Sequence, residues 1–239
     1  MALRPLKTTF LITAGPTVED LDPVRFISNR ATGRLGFAVA RAALAAGHRT
    51  LLVHGPVAEA LIADLDRVRS SRLTRLPVRS ASQMCRAVLR LLPRAGVVVM
   101  SAAVADFTPA RVSRSKLKKR KAGLTLQLKP TLDILAQLGR IKRARRTDLV
   151  LIGFALETGV GRKESQRQRT RLAEAHRKLA AKNLDAIVLD TPAAMGAERA
   201  AFQVLSAGQL KARSIHARKD AFARYLVKLG EALKERRHG

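Results

Sequence analysis

Short apolar runs rich in β-branched residues alternate along this chain with segments that repeat apolar side chains at helical spacing. That alternation admits few folds other than a parallel sheet covered by helices. Thr9 to Thr13 reads TFLIT and stops at Ala14-Gly15-Pro16-Thr17, a buried strand and its turn. After a long polar loop, Gly33 and Gly36 introduce FAVARAALAAG, a helical segment that Gly47 ends. Thr50 to His54 is the next strand, closed by Gly55-Pro56. Strand, loop, helix and strand in that order form the repeating unit of a parallel sheet.

The alternation then continues to the C-terminus. Leu73 to Val78 reads as a strand, and Ser80 caps a helix that reaches Leu92 and ends at Pro93. Val97 to Met100 is the fourth strand, Thr131 to Leu138 a short helix, and Leu149 to Ala155 a fully buried strand. Glu164 to Ala181 is a basic helix and Asp185 to Leu189 another strand. Gln203 to Ser206 and Arg213 to His216 are two weaker strands, and an amphipathic helix from about Lys219 to Arg236 closes the chain. Arg111 to Lys121 carries seven basic residues and no acid, and Leu124 to Leu128 alternates apolar with polar, the pattern of an exposed arm or hairpin. The expectation is a Rossmann-like three-layer α/β fold with a mainly parallel central sheet. It forms one domain over residues 1–239, with a basic arm at about 108–130.

Lys and Arg number 46 against 18 Asp and Glu, a net charge of +28 that attracts anions of any kind. So large a surplus flags nucleic acid, yet only seven Phe and Tyr225 are aromatic, so stacking platforms for single strands are scarce. Cys85 is the sole cysteine, which excludes an internal disulfide and a cysteine-built zinc site, and its apolar neighbours place it in the core. No signal peptide opens the chain and no apolar run approaches the roughly 20 residues that span a bilayer, so a cytoplasmic protein is expected.

The stretch from Val97 to Lys119, VVVMSAAVADFTPARVSRSKLKK, passes from a strand through small residues to Asp106 and then into lysines. Small side chains at Ser101, Ala102 and Ala103 let a ligand approach the backbone, and the lysines supply charge for an anion such as a nucleoside triphosphate. The loop Ser28 to Gly36 lies between the first strand and its helix, where a parallel sheet presents backbone N–H groups to anions. Gly15, Gly33 and Gly36 do not have dinucleotide-fingerprint spacing. Tyr225 and Lys228 are three apart rather than the four of a short-chain dehydrogenase pair, and fit an ordinary helix.

ITAGPT at Ile12 to Thr17, DPVRFISN at Asp22 to Asn29 and GHRTLLVHGP at Gly47 to Pro56 resemble the bacterial phosphopantothenate–cysteine ligases of coenzyme A biosynthesis. The resemblance runs on through SAAVADFTPA at Ser101 to Ala110, KLKK at Lys116 to Lys119 and LDIL at Leu132 to Leu135. GFALET at Gly153 to Thr158, KLAAKNLD at Lys178 to Asp185 and ARKDAFARYLV at Ala217 to Val227 complete it, in family order and over almost the whole chain.

That resemblance implies a two-step ligation. A nucleoside triphosphate, CTP in most bacteria, activates the carboxylate of 4′-phosphopantothenate as an acyl nucleotidyl phosphate, and the amine of L-cysteine displaces the nucleoside monophosphate. Attack on the α-phosphate builds negative charge that lysines and Mg²⁺ are suited to stabilise, and no side-chain nucleophile is needed. By position, Asn29 and Lys116 match the catalytic residues, while Arg25, Asn29 and Ala103 match substrate contacts. Gly15, Met100, Ser101, Ala102, Asp106, Lys116, Leu132, Asp133, Ile134, Leu135, Phe154, Lys178 and Lys182 match nucleotide contacts, and no residue is assigned as a metal ligand.

The resemblance further implies a homodimer formed through the arm and neighbouring strands. Met1 lies a few residues before the first strand, so the flavin-dependent decarboxylase often fused ahead of such ligases is expected to be a separate partner. Three departures stand out: Leu132 where proline is usual, Asp190-Thr191 for Asn-Asp, and Met195 to Ala200 for a Phe-Gly-Ser-Asp-type loop. The last two shape the base pocket and leave CTP and ATP both open. The alternative reading is a ligase-like module of impaired activity that uses its charge to hold nucleic acid or another polyanion.

Overall fold

The computed structural model describes residues 7–119, 123–145, 148–156, 160, 163–190 and 197–237. In chain order the elements begin with β1 (Thr9–Ala14), β2 (Val18–Asp20), β3 (Phe26–Ser28), α1 (Arg34–Ala45), β4 (Arg49–His54), α2 (Glu59–Asp66) and β5 (Leu73–Pro77). They continue with α3 (Ala81–Leu91), β6 (Val97–Met100), β7 (Phe107–Pro109), β8 (Leu128–Pro130), α4 (Ile134–Arg145) and β9 (Val150–Leu156). The last are α5 (Glu164–Ala181), β10 (Ala186–Asp190), β11 (Arg199–Ser206), β12 (Arg213–Arg218) and α6 (Lys219–Glu235).

Eight strands form one sheet in the order β12-β11-β10-β9-β6-β1-β4-β5. The six from β5 to β10 are parallel, and β11 and β12 extend the edge antiparallel. Successive side chains on the central strands point to opposite faces, and both faces are apolar because both are covered. Phe10, Ile12, Val99, Ile152 and Val188 pack beneath α1, α2 and α6, while Leu11, Val98, Leu151 and Ile187 pack beneath α3, α4 and α5. The expected three-layer architecture is therefore present. On the first face Phe202 and Phe222 stack with ring centroids 3.8 Å apart and bind α6 to β11.

Local chemistry sets the helix ends. Ser80 accepts from the Gln83 N–H while Gln83 accepts from the Ser80 N–H, a capping box that opens α3. Past α1, the Gly47 N–H reaches the Leu44 carbonyl and the His48 N–H reaches Ala43, with Gly47 at φ +87°. That is the left-handed turn for which glycine is suited, so Gly47 ends the helix as the pattern predicts. Gly36, expected ahead of the helix, lies within α1, where a Cβ would stand 2.5 Å from the Ala14 Cβ.

Two elements escape the sequence pattern. The polar loop after β1 folds back as the β2–β3 hairpin, and α2 is a helix of eight residues with Leu65 alone fully buried. The hairpin strands are three residues each and α2 only eight, too short for a period to stand out even though Leu61, Ile62 and Leu65 share one face of α2. The arm is anchored by a short antiparallel pairing of β7 with β8, so the Leu124 to Leu128 alternation yields a strand only from Leu128 onward.

A buried ion pair ties α4 to the sheet. Lys142 Nζ lies 2.6 Å from Asp185 Oδ2, which also accepts the Leu151 N–H at 2.7 Å, and Arg237 closes on the other oxygen. Burial draws the Lys142 pKa below the ordinary lysine range, while Asp185 works to hold it up. Replacing Asp185 by Ala strands the Lys142 ammonium and the Leu151 N–H together, at an expected cost of about 3–5 kcal/mol. A urea titration should show a lower midpoint with an unchanged slope.

Candidate functional site

The strand order reverses between β1 and β6. From β1 the chain moves outward to β4 and β5, then returns to lay β6 on the other side of β1. At such a switch the loops leaving the two strands diverge and open a crevice at their carboxyl ends. Here Thr13 pairs in register with Met100, and the exits are Gly15-Pro16-Thr17 and Ser101-Ala102-Ala103.

Hydroxyl groups hold these exits together. The Thr13 hydroxyl accepts the Ala102 N–H at 3.1 Å and donates to Met100 Sδ, and the Ser101 hydroxyl donates to the Thr13 carbonyl at 2.6 Å. The Ala103 N–H reaches the Gly15 carbonyl, the Thr17 N–H reaches the Ala103 carbonyl, and the Thr17 hydroxyl accepts the Ala105 N–H. Gly15 stands at φ +75°, where an added Cβ would meet Val57 at 2.7 Å. Met100 is buried as a floor, while Ser101, Ala102 and Ala103 remain part-open to solvent.

Asn29, distant in sequence, joins this loop. Its Nδ2 donates to the carbonyls of Ala103 at 3.0 Å and Val104 at 3.3 Å. The Asp106 carboxylate is exposed and has no protein partner among the described residues, while its carbonyl accepts the Thr131 N–H. Lys116 is likewise exposed.

What places Lys116 is its neighbour Leu117. The buried Asp22 carboxylate accepts the Leu117 N–H at 3.0 Å, the N–H groups of Val24 and Arg25, and the Arg25 guanidinium at 2.6 Å. Arg25 also donates to the Leu117 carbonyl. Burial opposes ionisation of Asp22, but the Leu117 N–H, the Arg25 guanidinium and the two local N–H groups outweigh it. The carboxyl is held far below the usual carboxylate range. Arg25 thus has its guanidinium engaged in anchoring the arm.

The far wall comes from α4 and α5. Asp133 accepts the Ala136 N–H at the start of α4 and pairs with Lys182 at 2.7 Å. Burial raises its pKa, but the Lys182 and Ala136 contacts prevail and lower it. Leu132 is exposed, Ile134 is buried and Leu135 lies over Gly153, whereas Phe154, half-buried on β9, packs toward the α1 and α6 face of the sheet. Lys178, one turn before Lys182, has Glu174 at 3.7 Å. Thr191, Met195 and Gly196 of the departing segments lie outside the described residues, as do Arg120 and Lys121 of the arm and Glu157 and Thr158 after β9.

A second opening of about 420 Å³ lies where α1, α2 and α6 begin, lined by Arg34, Arg41, Arg218 and Lys219 together with Asp64, Glu198 and Asp220. Burial pulls the Lys219 pKa down, Asp190 opposes that and Arg34 adds to it. The sequence pattern left out this opening, together with Thr13, Thr17 and Asp22. Asp22-Pro23 is a recognisable turn starter, but an anchor 95 residues away in sequence has no local signature.

Other reactive groups are structural. Cys85 is buried under α3, its pKa raised by burial, with Sγ 3.3 Å from Gln137 Oε1. His54 is buried against Phe37 and held neutral by burial. No three His, Cys, Asp or Glu side chains cluster among the described residues, and no described helix is long and apolar enough to cross a membrane.

Comparison with known proteins identifies the family. The family model for the DNA/pantothenate metabolism flavoprotein C-terminal domain matches residues 6–232. The chain is 43% identical over 187 residues to the Coenzyme A biosynthesis bifunctional protein CoaBC of Bacillus subtilis, covering 78% of this chain and 41% of that protein. It therefore spans less than half the length of that relative. The crystal structure of the C-terminal domain of a CoaBC protein superposes with TM-score 0.73 at 29% identity, covering 98% of this chain and 100% of that one. A Cab2 mutant in complex with phosphopantothenate-cysteine shares the fold, with TM-score 0.76 at 17% identity over 96% of this chain and 87% of that one. On a match that spans nearly all of its length, the chain belongs to the DNA/pantothenate metabolism flavoprotein C-terminal domain family.

Proposed function

We propose that the chain is a phosphopantothenate–cysteine ligase, joining 4′-phosphopantothenate to L-cysteine at the expense of CTP or ATP. The observation that carries this reading is the contact of Asn29 with the Ala103 and Val104 carbonyls. It brings the proposed second-step residue onto the small-residue loop of the proposed nucleotide pocket. Membership of a family whose relatives act in coenzyme A biosynthesis supports it further.

In this proposal Gly15, Met100, Ser101, Ala102 and Asp106 receive the nucleotide at the strand switch, with Leu132 to Leu135, Lys178 and Lys182 as its far wall. Lys116 meets the phosphates as negative charge builds on the α-phosphate. Arg25 and Ala103 flank the acyl group. The described residues provide no protein cage for a metal. Mg²⁺ would be held chiefly by the nucleotide phosphates, where it neutralises their charge. Asn29 offers amide donors without a charge to neutralise, suited to the acyl intermediate as cysteine attacks. A flavin-dependent decarboxylase is the proposed partner that takes the product onward.

Purified protein supplied with phosphopantothenate, cysteine, Mg²⁺ and either CTP or ATP should release pyrophosphate, and comparing the two nucleotides gives the preference. Asn29→Asp should still release pyrophosphate while amide formation falls by about 10²–10³-fold, the scale of losing one oriented donor. Lys116→Gln should fail at pyrophosphate release itself. Turnover like wild type in both variants would refute the assignment.

The arm gives a second prediction. Asp22→Asn removes the charge that holds Leu117 and Arg25, so kcat/KM should fall by about tenfold to a hundredfold while the circular dichroism spectrum is retained. Because the folded pKa is depressed, the Asp22 contribution is present above about pH 4, the unfolded value, and is lost only in stronger acid. The arm should therefore stay docked across the working pH range.

The homodimer is the third. Phe26 on β3 and Phe107, Val112, Leu124 and Leu128 on the arm are exposed apolar side chains on one side of the molecule, where β2 meets β7. Sedimentation at micromolar concentration should show a dimer, and Phe107→Asp combined with Leu124→Asp should shift it to monomer.

A further inference from the structure

The positive charge is not spread evenly. On most of the surface each acid has a basic partner beside it: Asp20 with Arg79, Asp66 with Arg75, Glu174 with Arg177, Glu198 with Arg218 and Asp220 with Arg41. Apart from the basic arm, and from α1, whose Arg41 reaches Asp220, the pair of helices α3 and α4 departs from this rule. Neither contains an Asp or Glu, and together with the turn after α3 they expose Arg86, Arg90, Arg94, Arg140, Arg143 and Arg145.

The two helices lie side by side. Cys85 of α3 touches Gln137 of α4, and both bury their inner faces in the same core. None of the six arginines meets a carboxylate among the described residues, and Arg86 reaches only the Ser82 hydroxyl. Charge in a last helical turn offsets the carbonyl end of the helix dipole, which accounts for Arg90, Arg143 and Arg145. It does not account for Arg86 and Arg140, which stand further up their helices, nor for the complete exclusion of acids from both. Like charges one turn apart repel, so this face is at odds with itself until an external polyanion neutralises it.

We propose that the α3–α4 face binds the sugar–phosphate backbone of double-helical nucleic acid, independently of base sequence. Arg86 and Arg90 stand one turn apart on α3, about 6 Å. That is close to two base-pair steps of a duplex, about 7 Å. Neither helix carries an aromatic residue, so unpaired bases find no stacking platform. Neither exposes a large apolar side chain, so a lipid surface finds nothing to bury. The face covers the flank of the sheet, and its last-turn arginines lie at the end away from the crevice, so a bound duplex leaves the site open.

The test is fluorescence anisotropy of the full chain with random-sequence DNA and RNA duplexes of about 20 base pairs, titrated across salt. Wild type should bind either duplex, or both, with an affinity that falls steeply with salt. The variant Arg86→Gln/Arg90→Gln/Arg140→Gln/Arg143→Gln should lose at least about tenfold in affinity at low salt. Its log–log salt slope should be shallower by roughly 3.6 units, at about 0.9 for each of the four phosphate contacts. A control removing equal charge elsewhere, Arg67→Gln/Arg75→Gln/Arg224→Gln/Lys228→Gln, should leave most of the slope intact. An equal loss in the control would show a diffuse field and overturn the proposal. So would absence of duplex binding, or tighter capture by phosphatidylserine vesicles that depends on the same four arginines. Ligase turnover of the arginine variant should match wild type, which separates failure here from failure of the ligase reading.

Discussion

The molecule depends on the return of the chain to the far side of β1. Once β6 lies there, Thr13 and Met100 are paired across the switch, and the exits that follow stay bridged at Pro16 and Ala103. Short hydroxyl contacts from Thr13, Thr17 and Ser101 add to these backbone bonds and fix the two exits against each other. Space is kept by small residues at the same point. A side chain at Gly36 would strike Ala14 and Ser101, and one at Gly55 would stand 1.6 Å from the Pro16 carbonyl oxygen. The crevice is thus a consequence of strand order, and small residues keep it open.

Charge is used in two ways. Inside, Asp22 and Asp185 are carboxylates whose oxygens are filled by backbone N–H groups and by one or two cations. Such groups tie together segments that share no strand pairing: the arm to the β2–β3 hairpin, and α4 to β9 and the start of β10. A buried ion is tolerable only when so fully satisfied. Outside, acids pair locally and sparsely, and helices α3 and α4 contain none. The ordered interior and the lopsided surface are separate features, since neither Lys142 nor Arg25 adds to the exposed field at that flank.

Much of the fold was legible because buried strands and amphipathic helices have periods that a single sequence displays. Glu164–Ala181 spans the helix that its pattern predicts, and Ser80 caps α3 where expected. The β2–β3 hairpin and α2 were not legible, because eight residues with one buried side chain are too few to reveal a period. For the site, Asn29, Asp106 and Lys116 were named from resemblance, and the fold sets Asn29 on the loop that precedes Asp106. Thr13, Thr17, Asp22 and Lys219 were not named, since a hydroxyl or carboxylate gains its meaning from a partner dozens of residues away.

By itself the amino-acid sequence determined the strand–helix alternation, the mainly parallel sheet with both faces covered, and the family. These rest on local side-chain period and on motif order. Only the tertiary structure decided that Asn29 meets Ala103, that Arg25 serves as a clamp on Asp22 and Leu117, and that Lys182 pairs with Asp133. It also decided that the acid-free helices α3 and α4 lie together on one flank. Those facts depend on which elements become neighbours when the sheet reverses between β1 and β6, and neighbourhood across the fold is not a property of any local stretch of chain.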